Sequence, residues 1–163
     1  MPDHNTFLEA IRAEPEDDSQ RLVYADWLDE QDAGDRAEFI RVQVALARRR
    51  EDEPGRAELA AREQQLLDEH RYAWLGGLGA APSCKVRFRR GFVEELTLSV
   101  ETYLANTAVL SRLAPVQHVD LDAVLEAGDA GEDCYEEQLA AFDELAACTL
   151  LACWVSLRIH SLG

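Results

Sequence analysis

The sequence is short of lysine and has no paired cysteines. Only Lys85 is a lysine among 16 basic residues, against 32 acidic residues, and the formal net charge is −16. This balance excludes nucleic acids and anionic membranes as general partners. No two cysteines form a CxxC pair and the histidines are scattered, which excludes the usual zinc and redox motifs. The cysteines are therefore expected to be reduced and mostly buried.

The sequence also lacks targeting and membrane signals. Its first residues, Met1-Pro-Asp-His-Asn, form neither a basic region nor an apolar run, which argues against a signal peptide. The apolar stretch Thr149–Val155 is far too short to span a bilayer. We therefore expect a cytoplasmic chain whose 163 residues form one domain, or two small units that share a core.

What is present in the first 80 residues is helical patterning. Thr6 and Glu9 predict a capping box for a first helix, which Pro15 ends. Further helices are predicted from about residue 18 to 31, from about 36 to a break at Glu53-Pro54-Gly55, and from about 56 to 75. The sequence therefore predicts an N-terminal four-helix unit at residues 1–80.

The second half, residues 84–163, has the patterning of strands. Residues 85–89 alternate, Arg90-Gly91 is a turn, and a second strand follows, so a β-hairpin opens this half. The strand segment 93–98 matches 116–121 at a spacing of 23 residues, and a third copy at 155–159 follows 38 residues later. Helical segments are predicted at about 101–113 and 133–147. Two interpretations remain: a short leucine-rich-repeat-like unit, or an ordinary β-α-β-α-β sheet. The predicted class is α+β or α/β.

Three polar side chains fall on core-facing sides of the second and third helices: Asp26, Arg36 and Gln43. A partly buried charge or amide is costly unless it is paired. We therefore expect these residues to form a polar clasp, bonding to one another or to loop backbone, which fixes the angle between the two helices. Replacing Asp26 by alanine is then expected to destabilise the protein by roughly 2–4 kcal/mol.

The remaining charges of this region have two further interpretations. Asp29, Glu30, Asp35 and Arg41 are candidates for contact with a partner, and Asp29, Glu30, Asp32 and Asp35 are the alternative set for a divalent metal. The spacing of these acids lacks the order of an EF-hand loop. No nucleophile stands beside a base, and no phosphate-binding loop is present. We therefore predict a protein that is not an enzyme, with no catalytic residues, no metal and no cofactor.

Arginines are concentrated in two places. Arg48, Arg49, Arg50 and Arg56 surround Pro54 and Gly55, and this stretch is the candidate protease-sensitive loop of the helical half. The alternative is a solvated helix end, where arginine is favourable. Lys85, Arg87, Arg89 and Arg90 form the one basic cluster, which is interpreted as a solvated strand face.

Two motifs carry a resemblance to a family. These motifs are Tyr24-Ala-Asp-Trp-Leu and Gly34-Asp-Arg-Ala-Glu-Phe-Ile-Arg-Val-Gln. Through them the chain resembles the bacterial repeat-companion domain over residues 7–46. More loosely, His70–Leu75 and Arg89–Leu98 resemble segments that often follow this domain. In that family they lead into leucine-rich-repeat-like arrays, so the resemblance supports the repeat interpretation. It brings no catalytic residues.

These observations favour a non-enzymatic adaptor that binds a protein partner through the repeat sheet or the acidic surface. The alternative is a regulatory protein controlled by proteolysis in a bacterial signalling or defence pathway. Repeat proteins of this family usually continue further, whereas this sequence stops at Leu162-Gly163 after the third strand copy. A naturally short protein, a truncated one and a sheet edge covered by a partner or a second copy all remain open, so self-association through an uncapped sheet edge is one expectation.

Overall fold

The computed structural model describes residues 3–76, 78, 84–110, 113, 116, 118–123 and 156–161. The protein is mixed α+β and divides into two compact units. The first unit comprises Met1–Trp74 and Phe88–Val93, and the second comprises Leu75–Arg87 and Glu94–Gly163. The predicted division places residues 84–163 together. In the structure the segment 88–93 instead groups with the N-terminal helices, because its side chains pack there.

The described N-terminal part is helical, and its helices are α1 His4–Ala13, α2 Asp18–Glu30, α3 Gly34–Arg48 and α4 Arg56–Leu75. The predicted capping box at Thr6 is wrong, because α1 begins earlier. The Asp3 carboxylate accepts the Thr6 backbone N–H at 2.9 Å and is the N-cap. On the apolar side of α1, Phe7, Leu8 and Ile11 are buried.

The helix breaks follow local backbone chemistry. A break does separate the two helices around Glu53-Pro54-Gly55, and α4 begins at Arg56 after Gly55, whose φ is +82°. The predicted end of the third helix is wrong, because α3 already ends at Arg48. Proline cannot continue the hydrogen-bond ladder, and glycine adopts positive φ at little cost. Between α2 and α3, Asp32 takes a φ of +59°, a conformation that aspartate tolerates better than most residues.

The described strands form one sheet in the order β1-β2-β3-β4, with β1 Lys85–Arg89, β2 Phe92–Ser99, β3 His118–Ala123 and β4 Ser156–Ser161. Strands β2, β3 and β4 are parallel neighbours. Leu96 pairs with Val119, which pairs with Leu157. The spacings of 23 and 38 residues read from the sequence are therefore the observed register.

One face of β2 and β3 is apolar. Leu96, Leu98, Val119 and Leu121 are at most 1% exposed and alternate with half-buried polar residues, as period-2 strands require. The first predicted helix of this half is in fact two short helices, α5 Val100–Ala105 and α6 Thr107–Leu110, which meet at Asn106. The second, at 133–147, lies outside the described residues.

No helix in the described part of the chain is long and apolar enough to cross a membrane.

Candidate functional site

The most specific side-chain arrangement of the first unit surrounds the turn between β1 and β2. Arg90 and Gly91 are the two central residues of this turn, with φ values of +50° and +90°. Positive φ at both positions is the backbone of a type I′ hairpin turn. The predicted turn is therefore confirmed. We refer to residues 88–93, which belong to the first unit, as the hairpin tip.

Gly91 lies directly against helix α3. A Cβ at this position would be 2.4 Å from Ile40 Cγ1 and 2.8 Å from Ile40 Cα, so only glycine fits without displacement. Its backbone N–H donates to Oε1 of the buried Gln43 at 2.6 Å. Gln43 Nε2 in turn donates to Glu63 Oε1 at 2.6 Å, which orients the amide. Gln43 thus joins the hairpin tip to α4 through both ends of its amide.

The guanidinium of Arg36 lies among aromatic rings. Its Cζ is 4.7 Å from the centroid of Trp74, and the rings of Phe39, Phe88 and Phe92 are all within 6 Å. Two of these rings, Phe88 and Phe92, come from the hairpin tip. Aromatic faces attract a cation, most strongly when it is removed from water. We call this group the arginine cage.

Among the residues that the structure describes, no carboxylate forms an ion pair with Arg36 in the arginine cage. The Arg36 side chain keeps some exposed surface, but Nη1 is closed to solvent and has no hydrogen-bond partner among the described residues. Burial lowers the pKa of Arg36 to about 10. The side chain is therefore still protonated at neutral pH, and the rings replace the carboxylate that a buried arginine usually requires.

Arg90 anchors the other side of the hairpin tip. Its Nη1 is 2.9 Å from Glu16 Oε2 and 3.4 Å from the Pro15 carbonyl, and its Nε is 3.5 Å from Asp18 Oδ1. The Arg90 and Asp18 side chains are only 15% and 12% exposed. The hydrogen bond and charge of Arg90 hold the pKa of Glu16 below its usual value. A partly desolvated cation therefore meets two carboxylates at the α1–α2 connection.

The predicted clasp among Asp26, Arg36 and Gln43 is not formed. The Asp26 side chain is 73% exposed and accepts a hydrogen bond from Arg41 Nη2 at 2.7 Å. Arg36 lies in the arginine cage and Gln43 bonds to Gly91. Arg36 and Gln43 do point inward, as the helical pattern indicated, but their partners are distant in sequence. Asp26 lies at the edge of the apolar arc of α2, where a small rotation of the helix moves a side chain into solvent.

The candidate partner-binding residues take different roles. Arg41 Nη2 is 2.7 Å from both Asp26 and Asp29, so these residues form a surface ion-pair network. Asp35 lies 3.5 Å from His70 Nε2. Glu30 is exposed. The alternative metal set is thus spread over different contacts, and within the described ranges no group of three or more His, Cys, Asp or Glu residues could hold a metal ion.

Most of the arginines of the candidate protease-sensitive loop are engaged. Arg56 Nη1 donates to the Leu46 carbonyl at 2.6 Å and to the Arg49 carbonyl at 3.0 Å. Arg49 donates to the Pro54 carbonyl at 3.3 Å, and Arg48 Nε is 3.0 Å from Asp18. The Arg50 side chain, by contrast, is 85% exposed and makes a 3.5 Å ion pair with Asp52, which is also exposed.

A second surface belongs to the second unit. Glu95, Thr97, Ser99, His118 and Asp120 alternate with the buried residues of β2 and β3 and are half-buried. Register places Glu95 beside His118 and Thr97 beside Asp120. Positions 156, 158 and 160 of β4 continue these rows. We call this surface the polar sheet face.

Sequence reasoning missed the residues that receive the hairpin tip: Glu16, Asp18, Ile40, Glu63 and Trp74. Glu16, Asp18 and Ile40 lie against residues 88–93, whereas Glu63 bonds to Gln43 and Trp74 packs on Arg36. These partners are far apart in sequence, and no local periodicity indicates them. One available signal was the resemblance to the repeat-companion domain. The motif that contains Arg36 and Gln43 resembles this domain, and the segment Arg89-Arg-Gly-Phe resembles a segment that often follows it. Arg90-Gly91 itself also indicated a tight turn.

Comparison of the chain with protein-family models, with curated proteins and with solved structures found no match in any of the three.

Proposed function

We propose that this protein is a non-enzymatic protein–protein interaction module of the repeat-companion type, which acts as a cytoplasmic adaptor. In this proposal the N-terminal helices form a four-helix unit, and β2, β3 and β4 are a short leucine-rich-repeat-like sheet. The polar sheet face contacts the partner. The supporting observation is the parallel register of the three strands at the same offsets as the sequence repeat.

The register supports a binding surface because it places apolar side chains on one face of β2 and β3 and polar side chains on the other. Equivalent apolar positions such as Leu96 and Val119 pack into the core, while equivalent polar positions align in rows on the other face. Repeat sheets of this kind offer many side chains in one plane to a protein partner. With a net charge of −16 the chain favours a basic partner, because charge complementarity speeds association and suppresses wrong partners.

The test compares two variants of the full chain that gain the same charge. Thr97→Arg alters the polar sheet face, whereas Gln65→Arg alters an exposed position of α4. Proteins captured from the host lysate are quantified by mass spectrometry for wild type and both variants. We expect a set of proteins retained by wild type and Gln65→Arg and lost by Thr97→Arg. Equal capture by all three chains would refute binding through this face.

A second candidate function, control by proteolysis, is favoured by the exposure of Arg50. Residues 50–55 lie between α3 and α4 without helix or strand and are all exposed. Exposed loop tips are where proteases cut folded chains first. We propose the Arg50–Glu51 bond as the cleavage site, since the neighbouring Arg49 and Arg56 are hydrogen-bonded to backbone carbonyls.

Limited digestion with an arginine-specific protease tests this candidate. We expect one early cut after Arg50 in the native chain, absent from Arg50→Ala and retained in Arg87→Ala, which removes an exposed arginine from a strand. First cleavage at another arginine, or a chain that resists digestion altogether, would rule out Arg50 as a regulatory site.

A further inference from the structure

The first unit is built from two pieces of chain that are not contiguous. Met1–Trp74 supplies the helices and Phe88–Val93 supplies the hairpin tip, while residues 75–87 between them belong to the second unit. The helices therefore receive the tip through non-covalent contacts alone. A second copy of the chain carries the same residues 88–93 and can therefore present the same contacts.

The contacts at this docking site depend on the identity of the two residues at the centre of the turn. Gly91 offers a backbone N–H to Gln43 at a place where a side chain would meet Ile40. Arg90 pairs with Glu16 and lies beside Asp18. A turn with arginine followed by glycine therefore fits this site, because the arginine meets carboxylates and any Cβ at the glycine position would meet Ile40.

The tip also completes the arginine cage. Phe88 and Phe92 are two of the four rings around the Arg36 guanidinium, and Phe88 packs edge-on against Phe39 at 5.4 Å. Without the tip, the partly buried Arg36 cation would lose half of its aromatic partners and Gln43 would lose a hydrogen bond. The open site therefore strongly favours occupation by some copy of the tip.

We propose that this docking site also accepts the hairpin tip of a second copy of the chain, giving an exchanged dimer. In this dimer each set of helices is completed by residues 88–93 of its partner, so each site contains residues from both copies. Within one chain the tip is present at an effective concentration of order millimolar, so the closed monomer dominates in dilute solution. The exchanged dimer forms when chains fold together at high concentration.

Charge reversal on the two sides of the site provides the test. Arg90→Glu reverses the tip, and the double variant Glu16→Arg, Asp18→Arg reverses the site, so each variant alone sets like charges against each other. In a mixed dimer the exchanged contacts pair opposite charges at both sites. One full-length variant is labelled with ¹⁵N, and both are unfolded in urea, mixed, refolded together and measured by native mass spectrometry.

We expect the mixed dimer to exceed both homodimers by at least about tenfold, because like charges across a partly desolvated contact are unfavourable. Dimers in statistical proportions would overturn the proposal and indicate association through a sheet edge. Should either variant fail to fold, labelled and unlabelled wild type refolded together at about 1 mM provide the second measurement. A wild-type mixture without a dimer of intermediate mass also overturns the proposal. Such a dimer supports it when the isolated dimer stays intact on dilution and separates only on unfolding, because exchanged chains cannot part without opening both sites; a dimer that dissociates on dilution overturns the proposal.

Discussion

Replacing Gly91 by alanine tests whether the hairpin tip is seated on α3. The added Cβ would lie 2.4 Å from Ile40 Cγ1 and 2.8 Å from Ile40 Cα, at a residue whose φ is +90°. A side chain could rotate away from such a clash, but the Ile40 Cα is part of a helix and cannot. The turn must therefore move, and the Gly91 N–H to Gln43 hydrogen bond lengthens with it.

The magnitude follows from separate contributions. A left-handed backbone costs an L-residue about 1–2 kcal/mol. Overpacking against a well-filled core costs about 1–3 kcal/mol. Retreat of the turn relieves part of the overpacking and weakens a buried hydrogen bond worth about 1 kcal/mol. We therefore expect Gly91→Ala to lower the free energy of unfolding by about 3–4 kcal/mol, a large share of the stability of an ordinary domain.

The measurement is urea unfolding followed by tryptophan fluorescence, since Trp74 lies in the arginine cage. Gly55→Ala is the matched control. Gly55 has a similar φ of +82°, but its Cβ would meet only the flexible end of Arg49, at 2.8 Å. It should lose only the backbone contribution of about 1–2 kcal/mol. If Gly91→Ala costs no more than Gly55→Ala, the tip is not packed against Ile40 and the docking site is wrongly described.

The other predictions concern polar groups around the same unit. Gln43→Glu should lower the free energy of unfolding by at least about 2 kcal/mol, because it places a second carboxylate against Glu63, and raising the salt concentration should recover only part of it. Asp26→Ala should cost under about 0.5 kcal/mol, since the side chain is exposed, and a loss above about 2 kcal/mol would restore the clasp. The paired hydrogen bonds from Arg62 hold the pKa of Glu38 below its usual 4.5. A group with a lowered folded-state pKa stabilises above its unfolded pKa and loses this contribution as the pH falls. Glu38→Gln should therefore be less stable than wild type at pH 7, with the difference shrinking below pH 4.5; a difference independent of pH would exclude the ion pair as its cause.

The periodic features of the fold could be read from the sequence. The break at Glu53-Pro54-Gly55, the turn at Arg90-Gly91 and the offsets of the strand repeats all depend on local backbone preferences or on the alternation of apolar residues. The start of α1 was misplaced because Asp3 and Thr6 are both good capping residues, and the choice between them depends on where the chain packs.

The inward-facing polar residues show the limit of this approach. Helical spacing placed Arg36 and Gln43 on the core side of α3, and both do face inward. It could not name their partners, because Trp74, Phe88 and Gly91 lie far along the chain. The cost of burying a polar group requires that a partner exist, but it does not say which one. Asp26, at the edge of an apolar arc, could face either way.

The sequence by itself determined the helix breaks, the hairpin turn, the register of the parallel strands and the inward direction of Arg36 and Gln43. Each of these follows from a residue's own backbone preference or from its spacing to near neighbours. Only the tertiary structure decided that residues 88–93 join the N-terminal helices, that aromatic rings surround Arg36, and that Asp26 pairs with Arg41. Those outcomes depend on which distant surfaces meet, and the spacing of residues along the chain does not indicate which surfaces these are.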